Sequence, residues 1–407
     1  MIPVVTLDPA GTDHHGEAAR LRELGPVVRV VLPGGVEAWS VTHHALLADL
    51  LADRRVSKDW HNWTAVRDGD IADDWPLIGM VKVTNMVTAD GRGHHRLRKF
   101  VTQTLTPRRV QSLRPRIAAI VGVLLDDLPS HAGPDGSVDL RKHFAYPVPM
   151  QVICELVGVP EEERPELREL VDSIFRSTSA PEEVLKTQRD IYLLLNRLVA
   201  ARHAEPGDDL ISALIAGQRD DPERLTDEEL VGTLWLMLAA GHETTLSLIV
   251  NGARALLTHP DQRALAVAGG EDTWSAVVEE TLRWDAPIGN FMARYPLEDI
   301  EIAGVTIPAG DAILAPYSAV GRDAAQHGPD AARFDITREQ RRHLAFGGGP
   351  HLCLGAPLAR LEATEALPAL FRRYPGLSLA VPPAALVPVP SLFSNSAAEL
   401  PVFLTVP

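Results

Sequence analysis

Cys353 stands in the run Phe346-Gly347-Gly348-Gly349-Pro350-His351-Leu352-Cys353-Leu354-Gly355 and is one of only two cysteines in 407 residues. Three glycines before it and one after it let the backbone take positive φ and come close to another body. Ala356-Pro357-Leu358-Ala359-Arg360-Leu361-Glu362 then reads as a helix start, with Pro357 in the first turn, where no N–H is missed. A thiol held ahead of a helix N-terminus, among free backbone N–H groups, is favoured as thiolate. Such a sulfur serves as a nucleophile or as a metal ligand. A lone buried structural cysteine is the plainer possibility.

A second constellation, Ala239-Ala240-Gly241-His242-Glu243-Thr244-Thr245, lies between apolar runs at 234–238 and 246–250. A helix apolar nearly all round is buried, and a glycine, a glutamate and two threonines in its middle cost propensity and burial energy. A threonine there can return its hydroxyl to the carbonyl four residues back, and Gly241 leaves room for a flat ligand. A kinked core helix whose polar groups satisfy one another would read the same way. Glu280-Thr281-Leu282-Arg283 sets a carboxylate and a guanidinium at i, i+3 on one helix face, which alone is an ordinary surface pair.

These residues need elements to carry them, and helical patterning dominates. Apolar residues recur at three- and four-residue spacing over 110–128, 150–157, 187–202 and 358–371. Thr226-Asp227-Glu228-Glu229 has the capping-box form; the apolar pattern after it runs to about Leu257, and His259-Pro260 ends it. A helix of about 30 residues is about 45 Å long, enough to cross a whole domain. Hairpins are expected over 26–39, turning at Pro33-Gly34-Gly35, and over 300–316, with turns at Ala303-Gly304 and Ala309-Gly310. No repeat, low-complexity linker or composition break interrupts 1–407. The expectation is one mainly α domain with small β-sheets around a long central helix.

Composition is ordinary for a globular protein, 45% hydrophobic and 23% charged. Cys154 and Cys353 offer no disulfide framework and no Cys-rich iron–sulfur or zinc spacing, which fits a reducing cytoplasm. The N-terminus has no cationic start followed by an export-length apolar stretch. No run approaches the ~18 apolar residues that cross a bilayer, so no membrane association is expected. A net charge of −15 argues against nucleic acid as a partner. Basic residues nevertheless cluster at Arg92, Arg96, Arg98, Lys99, Arg108 and Arg109, and again at Arg338, Arg341, Arg342 and His343. Either these form a solvated face or they dock an acidic electron donor.

The Cys353 loop, Phe-Gly-x-Gly-x-His-x-Cys-x-Gly, resembles at every fixed position the haem-binding loop of the cytochrome P-450 family, the haem-thiolate monooxygenases. The 239–245 string resembles that family's Ala/Gly-Gly-x-Asp/Glu-Thr-Thr signature, and Glu280-Thr281-Leu282-Arg283 its structural Glu-x-x-Arg motif. Asp90-Gly91-Arg92-Gly93-His94-His95-Arg96-Leu97-Arg98 is similar to its Asp-Pro-Pro-x-His-x-Arg-Leu-Arg segment, with Gly91 and Arg92 in place of the two prolines. The four motifs run in family order from about Asp90 to Glu362.

The resemblance implies a P-450 fold with haem b as cofactor and Cys353 as the axial ligand to its iron. Phe346, Gly347, His351 and Gly355 of the loop, with Ala240 and Gly241 of the long helix, would lie against the cofactor. His94, Arg98, His351 and Arg294, the last from Phe291-Met292-Ala293-Arg294, would bind its propionates. Glu243 and Thr244 would be the catalytic pair that handles oxygen and protons. Glu280 and Arg283, with Arg333 from Ala331-Ala332-Arg333-Phe334 as third member, would buttress the haem loop. Backbone N–H groups around Leu354 and Gly355 would hydrogen-bond the sulfur.

Hydroxylation by dioxygen also needs two electrons. The sequence carries no Gly-rich nucleotide fingerprint after a strand and no Cys-rich cluster motif. The resemblance therefore implies a separate ferredoxin-type donor with its reductase, and a monomeric cytoplasmic enzyme is expected. Pocket segments at 60–87, 174–177, 238–244, 288–292 and 391–394 are mainly apolar or small, which suits a bulky lipophilic guest. A steroid- or terpenoid-like skeleton is the first expectation and a macrolide the next. Two other readings use the same residues: a peroxide-driven peroxygenase, whose known members usually lack the acid–alcohol pair, and a haem sensor or carrier in which Glu243 and Thr244 are idle.

Overall fold

A computed structural model of the protein describes residues 3–177, 179–218, 221 and 223–404. It is mainly helical, with three small sheets among the described residues. The long helix runs from Asp227 to Thr258, 32 residues. At its start the Thr226 hydroxyl accepts from Glu229 N at 3.1 Å while the Glu229 carboxylate accepts from Thr226 N at 2.8 Å, so two orphan donors are satisfied reciprocally. His259 breaks it, and Pro260 opens the next helix, Pro260–Ala268. The long helix packs against the helices Pro147–Val157, Pro181–Ala204, Glu271–Trp284 and Ala356–Arg373, through the largest apolar cluster of the molecule. By length and apolar composition it could cross a bilayer, yet 72% of its most apolar window is buried inside the fold. Its hydrophobicity is spent on the core.

The periodicity over 110–128 spans two helices, Pro107–Ser112 and Arg114–Asp127. Pro115 sits in the first turn of the second, where a proline starts a helix and does not continue one. The first hairpin forms as expected, Val27–Leu32 against Val36–Val41. The second does not form as one unit. Ile300–Ile302 and Val305–Ile307 pair around Ala303 and Gly304, while Ile313–Ala315 leaves them for a larger sheet. There it pairs parallel with Val36–Val41 and antiparallel with Phe291–Pro296. The six strands lie in the order Val4–Thr6, Val27–Leu32, Val36–Val41, Ile313–Ala315, Phe291–Pro296, Val56–Ser57. This sheet delivers Arg294 to the interior, where it is 4% exposed. A smaller sheet of Ser378–Leu379, Pro401–Phe403 and Val138–Asp139 ties the C-terminal segment to the helical layer.

Candidate active site

The Cys353 loop is closed by its own backbone: Cys353 N donates to Phe346 O at 2.9 Å, and Gly347 N to Leu344 O at 2.8 Å. Gly347 and Gly349 take positive φ, +72° and +63°, whereas Gly348 is extended. At Gly349 a Cβ would lie 2.2 Å from Leu51 O, so only glycine lets the loop approach the His44–Ala52 helix this closely. Behind the loop Arg360 stacks over Phe346, 4.5 Å from the ring centroid. Arg360 is gripped by Glu279, at 2.6 and 3.1 Å, and His343 meets the same carboxylate at 3.2 Å. Burial works against ionisation of Glu279, but His343 and Arg360 outweigh it and hold its carboxyl at about 2. Sequence reading missed this clamp, because Glu279 and Arg360 are 81 residues apart.

The backbone N–H groups that reach the Cys353 sulfur are those of Gly355 and Ala356, one residue further along than expected. Cys353 keeps accessible surface; the atoms crowded around it push the thiol above its ordinary value, while the Gly355 and Ala356 N–H groups, with Arg98 and Arg360 nearby, work toward the thiolate. A metal ion takes a cysteine as its thiolate.

In the long helix, the Thr244 hydroxyl donates to Ala240 O at 2.7 Å, as the spacing suggested. Ala240 keeps accessible surface although Ala239, His242 and Glu243 around it are buried. The Gly241 contact differs from the expectation. A Cβ there would lie 3.0 Å from Ile153 Cδ1, so the space that glycine leaves is filled by the neighbouring helix Pro147–Val157. Glu243 is anchored from the side, accepting from Ser394 Oγ at 2.7 Å and, at 3.4 Å each, from Ser247 Oγ and Arg141 Nη2. Ser394 and Arg141 lie 151 and 102 residues away, and no local pattern marks either.

Four cationic or donor side chains from three separate segments gather beside the cysteine loop. His94 is 2% exposed and its ring lies 4.3 Å from that of His351. Its neighbour His95 is exposed and turns back to Gly91 O, so of the two it is His94 that faces the cysteine loop. Arg98 donates to Leu352 O at 2.8 Å, next to Cys353. Arg294 donates one bond, to the Tyr317 hydroxyl at 3.3 Å. Two buried atoms in this cradle have no partner among the described residues, His94 Nε2 and Arg294 Nη1. Burying such donors unpaired is costly, and carboxylates of a bound group would satisfy both. Among the described residues no three His, Cys, Asp or Glu side chains gather as a metal cage. A planar iron macrocycle with two carboxylates fits this donor set: it brings its own equatorial ligands, takes one sulfur, and would accept from the Arg294 guanidinium and the His94 ring, which burial holds neutral, its pKa down to about 4.

Glu280 and Arg283 are fully buried and bind bidentately at 2.7 Å on both arms. Arg283 also donates to Gly321 O, Ala331 O and Arg333 O, at 2.7–2.8 Å, and Glu280 accepts from Asp335 N at 2.8 Å. Arg333 therefore contributes its carbonyl, and its side chain is exposed. The third guanidinium is that of Arg338, whose Nε lies 3.7 Å from the Glu280 carboxylate. The reason is local: a turn from Asp335 O to Arg338 N brings the chain back toward Glu280 after Arg333 has faced outward.

Much of the basic clustering is consumed internally. Arg96 pairs with Glu229, Lys99 with Asp221 and Arg338 with Asp330. Arg92, Arg108 and Arg342 remain exposed, with no ion pair among the described residues.

His242, inside the motif, is fully buried against Tyr146 and is held neutral by burial, its pKa down from 6.5 to about 3. Burial likewise lowers His15 and His327 to about 4. Because these folded values lie below the unfolded one, the unfolded chain takes up protons first. Stability is whole above about pH 6.5 and is lost as the pH falls toward 4, by up to about 1.4 kcal/mol per pH unit for each group. Urea midpoints of the haem-free protein are expected to drop from pH 7 to pH 5, and His242→Gln to flatten that slope by about one proton. An unchanged slope would contradict the assignment.

The family model described as Cytochrome P450 matches residues 22–205, 193–265 and 274–380. The chain is 43% identical over 403 residues to 2-hydroxy-5-methyl-1-naphthoate 7-hydroxylase of Streptomyces carzinostaticus, covering 98% of this chain and 97% of that one. It is 39% identical over 411 residues to 6-deoxyerythronolide B hydroxylase of Saccharopolyspora erythraea, covering 99% of each. The solved structure of CYP154C4 from Streptomyces sp. ATCC 11861 with testosterone bound superposes with a TM-score of 0.96 at 47% identity, over 100% of both chains. The chain belongs to the cytochrome P450 family.

Proposed function

We propose that this protein, as one domain over 1–407, hydroxylates a bulky lipophilic ring system, steroid- or terpenoid-like first and macrolide next. As a cytochrome P450 it is an oxidoreductase with haem b as cofactor, and P450s of bacteria generally take electrons from redox partners and bind small molecules. The finer reading adds a ferredoxin-type donor with its reductase, and a soluble, monomeric, cytoplasmic enzyme. The observation that carries the proposal is the pairing of the Cys353 loop with a cradle holding two buried, unpartnered donors, His94 Nε2 and Arg294 Nη1.

When bound, the haem with Cys353 as its thiolate ligand supplies dioxygen activation: one oxygen atom enters a substrate C–H bond and the other leaves as water, consuming two electrons and two protons. The residues of the chain hold, aim and feed that chemistry. His94, Arg98, Arg294 and His351 take the propionates. Thr244, whose hydroxyl donates a hydrogen bond to Ala240 O, keeps the lone pairs of Oγ1 free as an acceptor. Glu243 is the proton source next to it in the chain, held in place by Ser394 and Arg141. Thr244→Ala is expected to leave substrate affinity intact, lower product formation by about 10²-fold, the lower end of what general acid–base catalysis supplies, and divert electrons to hydrogen peroxide. Product formation at the wild-type level would favour the reading in which the pair is idle.

Support for the substrate class comes from the pocket segments, which pack on one another. Ile174 fills the space beside Gly79, Ser177 Oγ accepts from Leu392 N, and Asn85 Nδ2 donates to Gly232 O on the long helix. Names of relatives point the same way, to a naphthoate, to 6-deoxyerythronolide B and to testosterone. The test is a titration of the ferric protein with steroids, terpenoids and macrolides, following the low- to high-spin shift. Steroids are expected to bind tightest; a shift only with small polar acids would overturn the substrate class.

A further inference from the structure

Lys58 is 4% exposed, and the sequence around it carries no motif. Strand Val56–Ser57 pairs antiparallel with Phe291–Pro296, Val56 opposite Pro296 and Ser57 opposite Tyr295. Continuing that register by one residue sets Lys58 beside Arg294. Here the facing strand is irregular: its register against Ile313–Ala315 shifts between Phe291 and Arg294. Lys58 Nζ donates to the carbonyls of both intervening residues, Met292 and Ala293, at 3.0 Å each, and lies 4.9 Å from the Phe291 ring centroid. A bulge re-aims the side chains that follow it, and the side chain following this one is Arg294, with its unpartnered Nη1.

The same short segment also holds the other side of the cradle. Asp90 accepts from Ser57 Oγ, from Lys58 N at 3.0 Å and from Asp59 N at 3.3 Å, and its carboxylate lies 3.6 Å from His351 Nε2. Asp90 immediately precedes the Gly91–Thr104 helix that carries His94 and Arg98.

We propose that Lys58 is a positioning residue for the haem carboxylates: by bonding the two carbonyls at the bulge it aims Arg294 into the cradle. Burial, with Arg294 close by, pushes the Lys58 amine well below its ordinary value. Charged or neutral, the amine has at least the two N–H groups that its two carbonyls require. The inference rests on the reading of Arg294 as a propionate ligand, and the test separates the two.

Haem release to excess apomyoglobin would be timed for the wild type, Lys58→Met, Arg294→Met and the double variant, each loaded with haem and with haem dimethyl ester. Lys58→Met is expected to speed release of haem about tenfold, the worth of a charge-assisted hydrogen bond. It should add little to Arg294→Met and have no effect on the ester. If Arg294→Met itself leaves release unchanged, the propionate reading fails. If Arg294→Met acts but Lys58→Met does not, or adds its full effect in the double variant, or speeds the ester equally, Lys58 has no such role. Should Lys58→Met not fold, Lys58→Gln, which keeps two donors, takes its place in the same comparison, with release expected between wild type and Arg294→Met and the same outcomes counting against the proposal.

Discussion

Arg283→Ala is expected to leave no stable haem-loaded protein. Arg283 and Glu280 are fully buried, and the guanidinium makes two bonds to Glu280 and three to carbonyls between Gly321 and Arg333. Removing it strands a carboxylate in the core and leaves three carbonyls short of a donor. Breaking a buried pair from one side costs about 3–5 kcal/mol, a large share of the 5–15 kcal/mol that holds a typical domain. Those carbonyls belong to the segment leading into the cysteine loop, so the loss should fall on haem retention as well as on folding. Urea unfolding and haem content of purified protein measure both. Arg333→Ala is the internal control: its side chain is exposed, so it should behave as wild type, whereas Arg338→Ala should be intermediate. Equal damage from Arg333→Ala and Arg338→Ala would refute the assignment of Arg338 as third member.

Cys353→Ser is expected to abolish monooxygenase turnover while leaving the fold and part of the haem affinity intact. Three of the four propionate-binding side chains come from other segments, so haem still finds His94, Arg98 and Arg294. The serine hydroxyl fits the loop, where Cys353 N bonds Phe346 O through the backbone alone. What is lost is a thiolate that donates electron density through iron and favours O–O cleavage. A variant that retains haem and melts near the wild type but forms no product isolates that contribution. Product at the wild-type rate from Cys353→Ser would remove the sulfur from the chemistry.

What the sequence disclosed was local. The Cys353 loop, the capping box at Thr226 and the Glu280–Arg283 pair each sit within a dozen residues, and their geometry follows from backbone rules. The long helix could be read from end to end because its cap, its apolar run and the His259-Pro260 stop are contiguous. Contacts made by distant segments stayed hidden. Arg338 could not be told from Arg333 before the turn at Asp335 was known. Ile153 filling the space beside Gly241, Ser394 and Arg141 holding Glu243, and Glu279 gripping Arg360 all depend on which elements the fold brings together. Arg294 could be nominated only through resemblance; its strand, Phe291–Pro296, carries no clear alternation, because it is buried on both faces. His242 went unremarked within the motif, although its burial makes it a determinant of acid stability.

Whether iron binds the Cys353 sulfur can be read from the absorbance spectrum of the reduced, carbon-monoxide-bound wild-type protein. A Soret band at the long-wavelength position of thiolate-ligated haem is the predicted result. A band at the position given by histidine-ligated haem would contradict it.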